Sequence, residues 1–162
     1  MSAPRYQFTT HWHLDAPART VYDVLYRVED YPKWWPSFVE VRSVGKDEHE
    51  MVLKSVLQYK ISYVLENQII DPRKQVLQGR VAGDIRGRIS WDVDPVDAGH
   101  CVATFSEHVS VRQPILNTLS WLFRPVFRWN HGLAMKSGER GLRRYLASLP
   151  TAQPDPDPAT PS

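Results

Sequence analysis

The stretch that decides the fold runs from Gln113 to Leu149 and reads QPILNTLSWLFRPVFRWNHGLAMKSGERGLRRYLASL. It is the only segment long enough to form a helix that spans a small domain. Mostly apolar side chains recur in it at spacings of three and four residues: Phe127, His131, Ala134, Met135, Gly138, Leu142, Tyr145 and Leu149. The other side is charged: Arg128, Lys136, Glu139, Arg140, Arg143 and Arg144. This pattern predicts a long amphipathic helix whose apolar stripe covers another element.

A proline divides this stretch. Proline disfavours helical conformation at the residue before it, so Arg124-Pro125 predicts a break. We expect a short apolar helix over 115–123, a kink, and the long helix after it. The tail over 150–162 is rich in proline and lacks apolar anchors, which is typical of disorder. The sequence therefore predicts one domain over residues 1–149 and a disordered tail.

The chain before this stretch predicts short strands and two short helical regions. Tyr6 to Leu14 alternates between apolar and polar residues, as a half-buried strand does. Asp15 is the expected N-cap of a first helix with Pro17 in its first turn, and the proline-bracketed YPKWWPSF at 31–38 predicts a second short element. Further strands, separated by turn residues and with a bend near Gln58, are expected at 39–44, 50–57, 59–70, 75–82, 85–93 and 101–111.

The order of these elements predicts the fold class. A strand, two short helices, about six more strands and a long final helix form an α+β helix-grip arrangement. In it, a curved antiparallel sheet of about six to seven strands wraps around the C-terminal helix.

Composition narrows the class of protein. A chain of 162 residues with 42% hydrophobic and 23% charged residues is ordinary for one globular domain. The single cysteine, Cys101, excludes an internal disulfide framework and favours a reducing compartment. No run approaches the length of a membrane span, and the first residues lack the apolar core of a signal peptide. We therefore expect a cytoplasmic protein.

Charge is unevenly distributed along the chain. Seven Lys or Arg and one Glu fall within 112–149, although the net charge of the whole chain is only +2. A basic helix can attract anionic ligands, acidic partners or a membrane surface, and it can also be a plain solvated face.

Three separated blocks of sequence resemble one family. They read HWHLDAPARTVYDVLYRVEDYPKWWPSFVEV at 11–41, GDIRGRISWDVDP at 83–95 and RPVFRWNHGLAMKSGERGLRRYL at 124–146. Together they resemble the SRPBCC superfamily, in particular its polyketide cyclase/dehydrase-like group, which is related to START lipid-transfer domains. The resemblance covers about residues 6 to 149. It implies the helix-grip fold, while its members range from lipid carriers and hormone receptors to cyclases.

The resemblance also implies an apolar cavity between the sheet and the long helix, and the apolar stripes agree with it. We expect an enclosed void of at least about 300 Å³, with Trp34 or Trp35, Phe38 and Phe123 at its mouth. The candidate ligand-binding residues are Trp35, Phe38, Tyr59, Tyr63, Trp91, Phe105, Glu107, Phe127, His131 and Met135. Further wall candidates are Trp12, Leu53, Leu57, Leu65, Leu142 and Tyr145. For any single one of these side chains ordinary core packing is the more common role, and the set as a whole is more suggestive than its members.

Three polar residues are in phase with apolar faces: Glu107, His131 and Asn67. Because a buried carboxylate needs a partner, Glu107 and His131 are the candidates for an acid/base pair. The alternatives are a structural pair, in which Glu107 bonds His131 or an arginine, and a bulge that turns Glu107 outward.

Other site types find little support. Neither a phosphate-binding glycine loop nor a dinucleotide fingerprint occurs, and His11 and His13 lack a third metal ligand in sequence. No metal, cofactor or nucleic-acid partner is implied. We therefore expect binding or transport of a hydrophobic small molecule: a lipid, isoprenoid, polyketide or aromatic metabolite. One alternative is a cyclase or dehydratase that uses Glu107, His131 and a tyrosine. A second is a module that docks on a protein or transiently on a membrane.

Overall fold

The computed structural model describes residues 5–56, 58–111 and 120–150, with the backbone alone at 120–124. In chain order its elements are β1 (Arg5–Leu14), α1 (Ala18–Tyr26), a 3₁₀ turn (Val28–Asp30), α2 (Tyr31–Trp34), β2 (Phe38–Gly45), β3 (Glu48–Lys54), β4 (Lys60–Asp71), β5 (Val76–Gly83), β6 (Ile85–Pro95), β7 (Cys101–Val111) and α3 (Ser120–Ser148). The predicted order of strand, short helices, strands and long helix is confirmed.

The strands of these ranges form one antiparallel sheet of seven strands in the order β1-β7-β6-β5-β4-β3-β2. Every neighbouring pair except β1 and β7 is consecutive in the chain, which is the pattern of hairpins that the turn residues predict. The first strand pairs with the last, with Trp12 opposite Ala103. The sheet curls around α3, and the helix-grip prediction is confirmed.

The alternation of side chains along the strands gives the sheet an apolar inner face and a polar outer face. In β7 every second residue from Cys101 to Val111 is buried, and Glu107 belongs to this buried set. In β6, Ile85 and Trp91 are buried, while Arg86 and Arg88 are exposed on the opposite face. The inner face packs against the helices and forms a single core with them.

Two tryptophans of the α2 region lie directly under α3. The Trp35 indole N–H donates to the carbonyl oxygen of Ala134 at 2.9 Å. A Cβ atom on Gly138 would lie 2.5 Å from the Trp35 ring, and one on Gly141 would overlap the carbonyl oxygen of Trp34. The absence of side chains at these two positions lets α3 approach α2 closely.

Two details of the helices differ from the sequence prediction. Helix α1 begins at Ala18 after Pro17, without a side-chain cap from Asp15. Helix α3 runs through Pro125 without the predicted break. Pro125 is exposed and lies in the second turn of the helix. It therefore removes one backbone hydrogen bond near the start of α3, and the other backbone hydrogen bonds continue past it.

Some predictions fall outside the described residues: the helix over 115–119, Leu57, the side chain of Phe123 and the tail beyond Pro150. The bend near Gln58 is present, as a left-handed conformation with φ of 68°. Within the described ranges, no helix is both long and apolar enough to cross a membrane.

The glycine contact gives a first prediction. Gly141→Ala should lower the free energy of unfolding by about 1–3 kcal/mol, because the added methyl group overlaps the backbone of Trp34. Gly132→Ala is the matched control: it lies in the same helix with no atom within 4 Å of its Cβ position. That substitution should stabilise the protein by up to about 1 kcal/mol through helix propensity. Urea unfolding measures both, and a Gly141→Ala protein as stable as Gly132→Ala would contradict the close approach.

Candidate functional site

Two small cavities lie between the inner face of the sheet and the helices. The first, of about 50 Å³, lies beneath α1 and α2, and its wall includes Tyr31, Met51, Leu65, Asn67, Leu77 and Trp91. The second, of about 100 Å³, lies beneath α3, and its wall includes Leu53, Ile61, Glu107, Phe127, Asn130, His131 and Met135. Both are also lined by Trp35, Phe38, Tyr63, Ile89 and Phe105. These shared side chains form the partition between the two cavities.

The single large void that the sequence analysis predicted is wrong in size. Each cavity is well below 300 Å³ because Trp35 and Phe38 reach into the middle of the space, with ring centroids 4.9 Å apart. Trp35 and Phe38 are only 5% and 7% exposed. They were expected at the mouth, but they are buried in the partition.

A carboxylate and an imidazole meet on the wall of the second cavity. Glu107, from the inner face of β7, accepts a hydrogen bond from His131 of α3, with 2.9 Å between Oε2 and Nε2. Their side chains are 11% and 16% exposed. The His131 ring also stacks on Phe8, with centroids 4.0 Å apart and 13° between the planes. The pairing that the sequence suggested is present, and the stacked phenyl ring holds the imidazole plane.

Tyr63 lies on the inner face of β4 and lines both cavities. Burial, followed by the negative charge of Glu107 and the Tyr31 phenol, raises the pKa of Tyr63 far above its usual value. The phenol is therefore protonated at neutral pH. Among the described residues its hydroxyl has no hydrogen-bond partner, in contrast to Tyr31, which donates to the Leu25 carbonyl oxygen at 2.8 Å. Tyr63 thus offers a free hydrogen-bond donor inside an apolar space.

The sequence analysis missed Asn130. It is buried, and its side-chain oxygen accepts hydrogen bonds from the Ser55 hydroxyl at 3.1 Å and from the Val56 N–H at 3.0 Å. These bonds tie α3 to the loop between β3 and β4, beside the second cavity. Asn130 is in phase with Phe127 and Ala134, so the width of the stripe could have indicated it.

The other sequence-predicted residues divide into two groups. The cavity walls contain Trp35, Phe38, Tyr63, Trp91, Phe105, Glu107, Phe127, His131 and Met135, together with Leu53, Leu65 and Asn67. Neither wall contains Trp12, Tyr59, Leu142 or Tyr145. Trp12 and Leu142 are fully buried and serve the core. Tyr59 is half-buried near the bend that precedes β4.

His11 and His13 are both exposed on β1. The His11 ring nitrogen Nδ1 bonds the Thr104 hydroxyl at 3.0 Å on the outer face of the sheet. In the ranges that the structure describes, no three or more His, Cys, Asp or Glu side chains cluster as metal ligands do.

Comparison with known proteins agrees with the fold and with the resemblance noted from the sequence. The family model described as "Polyketide cyclase / dehydrase and lipid transport" matches residues 14–131. No curated protein matches the chain in sequence. Among solved structures, the Zhui aromatase/cyclase from Streptomyces sp. R1128 has a TM-score of 0.74 at 14% identity, over 89% of this chain and 94% of that chain.

Two further structures are similar. A START superfamily protein from Mycobacterium smegmatis has a TM-score of 0.71 at 12% identity, over 87% of this chain and 97% of that one. A point mutant of norcoclaurine synthase from Thalictrum flavum, in complex with a transition-state analogue, has a TM-score of 0.61 at 14% identity, over 91% and 99% of the two chains. At sequence identities of 12–14%, these structural similarities show that the fold is shared.

The buried pair gives a second prediction. Glu107→Gln should lower the free energy of unfolding by about 1–3 kcal/mol, seen as a lower melting temperature, because the hydrogen bond to His131 loses its charge. Binding of a hydrophobic ligand should stay largely intact. Glu48→Gln is the control: Glu48 is exposed and makes no ion pair within the described residues. A Glu107→Gln protein that melts at the wild-type temperature would contradict a structural role for the pair.

Proposed function

The chain belongs to the polyketide cyclase/dehydrase and lipid transport family, and we propose that it binds one hydrophobic small molecule between the sheet and α3. The observation that carries this proposal is the unpartnered Tyr63 hydroxyl at the junction of two apolar cavities. An apolar space with a few placed polar groups is typical of small-molecule sites. The apolar walls supply affinity, and the hydroxyl orients the ligand.

The size and chemistry of the cavities favour a particular class of ligand. A cavity of roughly 150 Å³ accommodates a single benzene ring. The combined volume of the two cavities is of this order, and the side chains that separate them are aromatic except for Ile89. A compact ring system, such as an aromatic or polyketide-derived metabolite, suits this space better than an extended lipid chain. An oxygen acceptor on the ring would accept the hydrogen bond of Tyr63.

One observation favours a second candidate function, that of a cyclase or dehydratase. With Nε2 bonded to Glu107, the Nδ1 atom of His131 remains available, and Tyr63 lies close enough for the charge of Glu107 to affect it. An imidazole base and a phenol donor could together move a proton from carbon to a carbonyl oxygen. The discriminating result is a Glu107→Gln protein that is stable and binds ligand normally, but no longer converts a linear polyketide-type substrate that the wild-type protein converts.

The proposed hydrogen bond gives a third prediction, with 2-naphthol as the probe. Tyr63→Phe should weaken its binding about five- to tenfold, because the substitution removes the only hydroxyl that the proposal assigns to the ligand. Tyr59→Phe makes the same chemical change away from both cavity walls and should leave the affinity unchanged. Fluorescence titration measures both. Equal affinities of the two variants would contradict the assignment of Tyr63, and no binding by the wild-type protein would contradict the site.

A further inference from the structure

The outer side of α3 is rich in exposed cations. Arg128, Lys136, Arg140 and Arg144 are exposed, and none lies within ion-pair distance of an acidic side chain in the described ranges. Glu139 lies on the same surface and forms an ion pair with Arg143, with 2.9 Å between Oε1 and Nη2. Arg143 also donates to the carbonyl oxygen of His13, which anchors it to β1.

These cations repel one another within the helix. Lys136, Arg140 and Arg144 follow at intervals of four residues, and like charges at this spacing destabilise a helix. The arrangement becomes favourable when an anion lies against it. Among the described residues, the carboxylate on this surface, that of Glu139, pairs with Arg143 and with none of these three cations.

A large aromatic residue lies on the same surface. Trp129 is 55% exposed. Lys136 follows it by seven residues, two helical turns on, so the two side chains project in nearly the same direction. We call Trp129, Lys136, Arg140 and Arg144 the basic face. It extends over roughly 23 Å at the rise of an α-helix.

We propose that the basic face docks reversibly on an anionic lipid surface. Basic residues together with an exposed tryptophan on one side of a helix match the headgroup region, where cations meet lipid phosphates and indole rings lie at the interface. A nucleic acid would bind the cations equally well. A single tryptophan beside a helix, however, does not provide the several aromatic side chains on which successive bases stack. Charge complementarity and the position of Trp129 together favour the bilayer.

This inference rests on the proposed function for its biological use. The opposite side of α3 carries Phe127, His131 and Met135, which line the second cavity. Docking through the basic face therefore places α3, which forms one wall of the second cavity, next to the apolar interior of the bilayer. Because the contact relies on a few surface charges and one indole, it should be weak and should fall as salt concentration rises.

Vesicle co-sedimentation tests the proposal with the full chain. The wild-type protein should sediment with vesicles of equal parts phosphatidylcholine and phosphatidylglycerol, and not with phosphatidylcholine alone. The Lys136→Gln, Arg140→Gln double variant should bind roughly 25-fold more weakly, at about fivefold per cation lost. Trp129→Ala should also weaken binding.

The control variant also loses two positive charges, but on the opposite side of the molecule. The Arg86→Gln, Arg88→Gln double variant alters two exposed arginines on the outer face of β6 and should sediment like the wild-type protein. Equal losses in the two double variants would show a general charge effect and would overturn the proposal. Sedimentation that does not depend on phosphatidylglycerol, or tighter retention of a DNA duplex than of the vesicles, would also overturn it.

Titration with 2-naphthol separates this proposal from the proposed function. The Lys136→Gln, Arg140→Gln protein should keep wild-type affinity for 2-naphthol, which also shows that it is folded. If the vesicle experiment fails while naphthol binding persists, docking is refuted and the cavity function stands. If naphthol binding fails in every protein, including the wild type, while vesicle binding persists, the cavity function is refuted and docking stands.

Discussion

The close contact between the α2 region and α3 is the constraint on which the rest of the structure depends. Trp34 and Trp35 fit beneath α3 because Gly138 and Gly141 have no side chains, and the Trp35 N–H bonds the Ala134 carbonyl oxygen. This contact sets the distance between the helix and the sheet. It also places the Trp35 ring in the middle of the space between them, where it divides one void into two cavities.

The polar groups along α3 reinforce that position. Asn130 ties the helix to the loop after β3, and His131 ties it to Glu107 on β7. Both contacts satisfy buried polar atoms that would otherwise destabilise the fold. Because these side chains already have protein partners, the proposed function assigns the ligand's hydrogen bond to Tyr63 instead. Under that proposal, neighbouring polar residues on the same wall divide structural and ligand-directed roles.

Much of this arrangement could be predicted from local patterns. The alternation in β6 and β7 predicted which face of each strand is buried, and it placed Glu107 inward. The three- and four-residue spacing in α3 placed His131 toward the sheet, so the pair could be inferred before any distance was known. These predictions succeeded because side-chain direction follows from helix and strand periodicity alone.

The remaining features depend on contacts between distant segments. The volume of the cavities is set by how Trp35 and Phe38 pack against β-strand residues, which no local pattern encodes. The continuity of α3 through Pro125 depends on where the helix begins, and the role of Asn130 depends on a loop some 75 residues earlier in the chain. Tyr59 lies on neither cavity wall: it follows the left-handed Gln58 and precedes β4, which begins at Lys60, so the alternation of β4 does not set its direction.

The central claim is that the ligand site lies between the sheet and α3, and the three methionines of the chain test it directly. Met51 lines the first cavity, Met135 lines the second, and Met1 precedes the first described residue. The measurement is a titration of the ¹³C-methyl-methionine protein with 2-naphthol, followed by NMR. The methyl signals of Met51 and Met135 should shift together with saturation, while that of Met1 stays in place. Saturable binding that leaves the signals of both Met51 and Met135 unchanged would place the ligand elsewhere and contradict the account.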